Sequence, residues 1–358
     1  MKFLGLIFCA LVFTSATPAP AQTASVTNEV CVVVGAPGED DYATGFAAAA
    51  KKWQDNCVVA GASCTVIGLD DQKDADPEKN SLDRDKLHDW ITKLATDTTV
   101  PVWIIYLGHG TFDGKDARMN LRGVDVSAAE MATWLKPVTR PLIFVDGGSA
   151  SAPFINALSA PNRIIITATQ SGQEVNYARF GEKFAEAIND PTADIDQDGQ
   201  VSVLEAFVTA AKRTQNFYDE NTRMATEHAL IDDNGDKFGT PASWFEGLRL
   251  VQHARNNAAP DGDYAKLVAL VASPEERALT DEDRAFRTKC EKQIEMLRQQ
   301  KSSMAEDDYY RQLEQVLRAL SSIYVKPTAA TTTDPTASAT SATPATPATP
   351  TGTSAPSQ

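Results

Sequence analysis

Two apolar runs constrain this chain most, because each closes on a small-residue turn that carries a polar group. Residues 101–107 (PVWIIYL) lead into Gly108-His109-Gly110, and residues 141–145 (PLIFV) lead into Asp146-Gly147-Gly148-Ser149. A continuous apolar run rich in β-branched and aromatic residues reads as a strand buried on both faces. In parallel α/β sheets the chemistry collects in the loops beyond the carboxyl ends of the strands. His109 and Asp146 are each delivered to such an end.

Further runs extend the same rhythm. Residues 29–34, 64–69 and 163–169 read as strands. Between them, Phe46, Ala49, Ala50 and Trp53, then Leu87, Trp90, Ile91 and Leu94, and later Phe180, Phe184 and Ile188, recur at helical spacing. Asp40 or Asp41 is the expected cap of the first helix, and Ser127 with Glu130 forms a capping box for another. Strands alternating with helices predict a mostly parallel sheet covered on both faces. His88 lies off its helix's apolar face and is expected to be solvated. The turn Gly35-Ala36-Pro37-Gly38 fits neither phosphate-binding glycine fingerprint and reads as a tight strand-to-helix connection.

The two ends of the chain differ from the middle. Met1-Lys2, an apolar run over 3–13, and Ala19-Pro20-Ala21 before Gln22 read as a signal peptide over 1–21. The expected location is therefore the periplasm or the cell exterior. The sequence itself leaves the choice between them open. No later run is long enough to span a bilayer. Over 262–326 the β-rich runs stop. Phe286, Cys290, Ile294 and Leu297, then Leu313, Val316, Leu317 and Leu320, predict a helical hairpin whose second helix opens at a Ser303–Glu306 capping box. Residues 327–358 are almost wholly Thr, Ala, Pro and Ser, a composition that buries no core.

A net charge of −15 excludes nucleic acid and anionic membrane as natural partners and suits cations. Outside the leader, four cysteines remain. Cys31 and Cys290 read as buried small hydrophobes, and the spacing of Cys57 and Cys64 leaves a bridge between them open.

Residues 194–205 (DIDQDGQVSVLE) match the twelve-position EF-hand loop throughout. Asp194, Asp196 and Asp198 supply side-chain oxygens, Gly199 the sharp turn, Gln200 a carbonyl, Ser202 the water-bridged place, and Glu205 a closing carboxylate. The expected ligand is Ca²⁺. A single loop points to a fixed structural ion rather than a paired sensor. Asp232-Asp233-Asn234-Gly235-Asp236 is acidic and glycine-turned, but lacks that spacing and a closing Glu.

The order of apolar strand, Gly108-His109-Gly110, long crossover, apolar strand and Asp146-Gly147-Gly148 resembles the caspase and legumain clan of cysteine peptidases. The resemblance implies a caspase-like three-layer α/β/α sandwich over 28–250. It places the base at His109, an acidic residue at Asp146 and the nucleophile at Gly148, which has no thiol. Ser149 and Ser151, the segment 167–174, the calcium loop and the helical tail further resemble secreted bacterial legumain-like proteins with serines in place of Cys. Three functions follow as expectations. The first is a non-peptidase homologue that binds a peptide or protein at the His109 cleft. The second is a serine endopeptidase using Ser149 or Ser151, with His109 as base and N–H groups near Gly110 as oxyanion donors. The third is a scaffold presenting the hairpin. Oligomeric state is not legible.

Overall fold

Alternation of side chains across strands sorts the apolar residues into two cores, one on each side of a single sheet. The computed structural model describes residues 28–69, 82–94, 100–252 and 261–324. The leader over 1–21, the acidic stretch 70–80 and the tail 327–358 lie outside the described residues. In chain order the elements are β1 (Glu29–Val34), α1 (Asp40–Ala60), β2 (Ser63–Ile67), α2 (Leu82–Thr92) and β3 (Val102–Leu107). Next come β4 (Gly110–Phe112), β5 (Ala117–Met119), β6 (Val126–Ser127), α3 (Ala128–Leu135), β7 (Leu142–Asp146), α4 (Pro153–Leu158), β8 (Arg163–Thr167) and α5 (Phe180–Ala187). The 194–205 segment leads into α6 (Val203–Glu220), followed by β9 (Leu230–Asp232) and β10 (Thr240–Pro241).

The main sheet has the order β10-β9-β8-β7-β3-β1-β2. Strands β2, β1, β3, β7 and β8 run parallel. Strand β9 is antiparallel to β8, and β10 to β9. One core joins Val30, Val32, Trp103, Ile105, Ile143, Val145 and Ile164 to α1, α5 and α6. The opposite core joins Cys31, Val33, Ile104, Tyr106, Phe144 and Ile165 to α2, α3 and α4. These layers make the fold a three-layer α/β/α sandwich with a mostly parallel sheet, as expected.

Some local expectations change. Glu39 occupies the cap of α1 without a side-chain cap bond, while Asp40 and Asp41 sit in the first turn, where the helix dipole favours them. His88 is half-buried, its ring 4.7 Å from that of Trp134, so it is packed rather than solvated. A small sheet, β4-β5-β6, fills part of the crossover between β3 and β7. The capping box of α3 is present, with Ser127 accepting from the Glu130 N–H and Glu130 accepting from the Ser127 N–H.

Residues 261–278 belong with the α/β unit, which ends at Ala278. The Val203 N–H donates to the Val268 carbonyl at 2.7 Å, and Ser202 bridges Ala269. A short helix, α7 (Pro274–Ala278), closes this unit. The helical hairpin therefore starts later than residue 262. In the second unit, Thr280 and Asp283 form a capping box for α8 (Asp281–Gln300), which is followed by α9 (Glu306–Tyr324). Ser303 donates to the Gln300 carbonyl instead of capping α9.

Candidate functional site

The carboxyl ends of β1, β3 and β7 meet around one side chain, Tyr106, the penultimate residue of β3. Tyr106 is fully buried. Its hydroxyl donates to the His109 carbonyl at 2.6 Å and lies 3.0 Å from that of Asn120. Three glycines from three segments accept this ring. A Cβ on Gly35 or on Gly108 would stand 2.4 Å from the Tyr106 hydroxyl oxygen. On Gly148 it would stand 2.9 Å from the Tyr106 ring, 3.0 Å from the Gly108 carbonyl and 3.1 Å from Asp146 Oδ1. Real Cβ atoms are essentially never held closer than 3.0 Å, so a side chain at Gly148 needs the surroundings to move. The packed interior resists this.

Asp146 sits beneath Gly148. Its Oδ1 accepts the Gly148 N–H at 2.9 Å. Full burial pushes its carboxyl up to about 8, against the single hydrogen bond that favours the anion. It therefore holds the turn rather than presenting charge to solvent.

His109 is only half-buried, but it is clamped. Its Nε2 lies 3.1 Å from the Pro37 carbonyl. Tyr42, Phe46 and Tyr177 present their rings edge-on at centroid distances of 4.8, 5.4 and 5.8 Å. A histidine flanked by two glycines reads as free to turn; here α1 and the loop before α5 enclose it.

Both serines are buried and already engaged. Ser149 Oγ accepts the Gly110 N–H at 3.0 Å and donates to the Gly110 carbonyl at 3.2 Å. Ser151 Oγ contacts Thr169 Oγ1 at 3.1 Å and accepts the Thr169 N–H at 3.2 Å. The Gly110 N–H, one expected oxyanion donor, is thus spent on Ser149. The hydrogen bonds of His109, Ser149 and Ser151 lead to three different places. Ala150, between the serines, has a φ of 55°, and its N–H donates to the Glu174 carbonyl at 2.8 Å. A cavity of about 650 Å³ lies elsewhere, walled by Phe180, Val208, Phe245 and Ala229, and neither His109 nor Asp146 lines it.

The 194–205 loop brings together oxygens of Asp194, Asp196 and Asp198 within 4.8 Å of one another. Ca²⁺–oxygen distances of about 2.3–2.6 Å put ligands on opposite sides of an ion about 5 Å apart, so this spread fits one ion. Gly199, at φ 87°, makes the turn. Asp196 is pushed up to about 6, by burial first and then by the charges of Glu205 and Asp198, so the carboxylates crowd one another. Glu205 is buried at the start of α6. Its Oε1 accepts the N–H groups of Ile195 and Asp196, and its Oε2 caps Ser202. Gln200 reaches Asp198 Oδ2 through its Nε2 at 3.2 Å, and Ser202 caps α6. Asp232 and Asp233, in the second acidic stretch, accept main-chain N–H groups of Gly235, Lys237, Gly262, Tyr264 and Ala265. These carboxylates tie turns together.

No family model matches the sequence, and no curated relative matches it. Solved structures match in fold. The Drosophila initiator caspase Dronc aligns over 66% of this chain and 95% of its own, at 12% identity and a TM-score of 0.40. Caspase-1 from Spodoptera frugiperda aligns over 57% and 86%, at 10% identity and a TM-score of 0.38. A protein from Geobacter sulfurreducens aligns over 58% and 95%, at 13% identity and a TM-score of 0.36. The layers and strand order described above define the class, a three-layer α/β/α domain with a mostly parallel sheet.

Proposed function

We propose that this chain is an exported, calcium-binding caspase-like protein that does not act as a cysteine peptidase and that binds a peptide or protein segment at the His109 cleft. The observation that carries this reading is the lack of room at Gly148, where the clan's nucleophile would stand and the Tyr106 ring already packs. Asp194, Asp196, Asp198, the Gln200 carbonyl, Ser202 through a water and Glu205 would hold the ion. Its role is to neutralise the crowded carboxylates and fix the start of α6. Export rests on the apolar run over 3–13 and the small residues before Gln22.

The serine-peptidase reading has less support. A serine nucleophile needs a base within hydrogen-bond reach. Here Ser149 pairs with Gly110, and His109 with Pro37. The scaffold reading is favoured by one observation, the exposure of Tyr310 and Leu317 on α9. Pull-downs with and without residues 279–324 separate it from cleft binding. The direct test of the main reading is incubation with a diverse peptide library and a serine-directed phosphonate, with and without calcium. No cleavage and no label is the expected result. Cleavage or labelling that disappears in His109→Ala overturns it.

A further inference from the structure

Strand alternation separates the cysteines of the α/β unit. Across the β1–β2 pair, Val30 is opposite Cys64 and Cys31 is opposite Thr65. Val30 belongs to the core shared with α1, and Cys31 to the core on the other side of the sheet. Cys57, buried on the last turns of α1, lies in the same core as Val30, and Cys64 packs against it. Cys57 and Cys64 thus share one face, and Cys31 lies on the opposite one.

The turn between them is built to return the chain. Gly61, at φ 66°, ends α1 in the left-handed conformation, and the Ala62 N–H donates to the Cys57 carbonyl at 2.9 Å. This brings the start of β2 under the last turn of α1. The turn therefore places the two thiols side by side on one face, where pairing with Cys64 and burial both hold the Cys57 thiol up. Cys57 is buried and Cys64 is half-exposed, so Cys64 is the sulfur that an external disulfide can reach.

We propose that Cys57 and Cys64 form an intrachain disulfide that closes the turn between α1 and β2, with a small-molecule or protein disulfide as oxidant. The Cys64 thiolate attacks one sulfur of the external disulfide and expels a thiolate. Cys57 then loses its proton to solvent and attacks the Cys64 sulfur, expelling the second thiolate. The protein loses two electrons, and the external disulfide is reduced to two thiols. The bridge pins the far end of the helix whose Tyr42 and Phe46 enclose His109, so it braces a wall of the candidate cleft. The inference does not rest on export or on the proposed function.

The test uses the full chain equilibrated with glutathione disulfide and then alkylated after unfolding. Both cysteines fall in one tryptic peptide, 53–73. That peptide should resist alkylation and weigh two hydrogens less than its reduced form, while Cys31 and Cys290 alkylate fully. The oxidised protein should melt several degrees above the reduced protein, a difference absent from Cys64→Ser. Full alkylation of peptide 53–73 after oxidation, or a cross-link to Cys31, overturns the proposal. The mass readout needs no variant to fold.

Discussion

A Cβ built on Gly148 would stand 2.9 Å from the Cε1 carbon of Tyr106, and Tyr106 is fully buried. The position that the caspase and legumain resemblance assigns to a nucleophile is closed by a neighbour. Placing a sulfur there should therefore not create a peptidase. Gly148→Cys should lose about 1–3 kcal/mol of stability, as overpacked cores do. It should cleave no peptide. Urea denaturation and a peptide-library assay check both. A stable, cleaving Gly148→Cys would show that the ring moves aside.

His109 presents the companion case. Its ring is held by three aromatic edges and by the Pro37 carbonyl. Aromatic pairs contribute about 0.5–1.5 kcal/mol each, and a hydrogen bond about 1 kcal/mol. These sum to about 2.5–5.5 kcal/mol, and the half-exposed ring sits at the low end, so His109→Ala should lower stability by about 2–3 kcal/mol, read from the unfolding midpoint. A residue kept only for catalysis behaves differently. Its removal leaves the midpoint unchanged or higher, because active-site groups are often held at a cost in stability.

The sandwich was legible because period-2 and period-3.6 apolar patterns report directly on buried faces. Residues 102–107, 142–146 and 163–167 needed nothing else. The pieces that escaped were too short for any period to register. Strands β4, β5 and β6 have three residues or fewer each, and β9 and β10 pair only through tertiary contact. At the site, sequence identified His109, Asp146, Gly148 and the two serines but not what surrounds them. Tyr106 reads as one more apolar residue in a buried strand. Its role appears only when Gly35, Gly108 and Gly148, from three segments, converge on its ring. The apparent freedom of His109 failed for the same reason: Pro37, Tyr42, Phe46 and Tyr177 lie far away in sequence. The 194–205 loop was the opposite case, since the carboxylates that converge there lie within one short stretch.

Asp146 gives the chain a pH dependence with a definite sign. Its carboxyl is pushed up to about 8 in the folded state, against about 3.9 in an unfolded chain. Between these values the folded protein holds a proton that the unfolded chain has released. Stability should therefore fall as pH rises from about 4 to about 8, then level off. The contribution of one such group approaches about 1.4 kcal/mol per pH unit. Asp146→Asn keeps an oxygen for the Gly148 N–H and removes the proton. Its stability should fall less steeply across that window, with the remaining slope coming from the other carboxyls that burial pushes up, among them Asp261, to about 8, and Asp196, to about 6. Urea midpoints at several pH values check this. An unchanged slope in Asp146→Asn would show that Asp146 ionises normally.

The 194–205 loop yields a prediction that needs two readouts, because Glu205 serves the fold whether or not an ion binds. Its carboxylate already accepts the N–H groups of Ile195, Asp196 and Ser202. Replacing it destabilises α6 whatever the loop binds, so a lower midpoint in a Glu205 variant says nothing about calcium. The informative quantity is the increment that calcium adds to each protein. In the wild type, an ion bound only by the folded state should raise stability by about 2.7 kcal/mol at a hundred times its dissociation constant. In the double variant Asp194→Ala, Glu205→Gln, the increment should vanish, and titration calorimetry should show no binding heat. Asp232→Asn, in the second acidic stretch, should lose stability yet keep the full increment, because that carboxylate ties Gly235 and Lys237 rather than an ion. If the double variant binds calcium as well as the wild type, the loop over 194–205 is a metal-free turn.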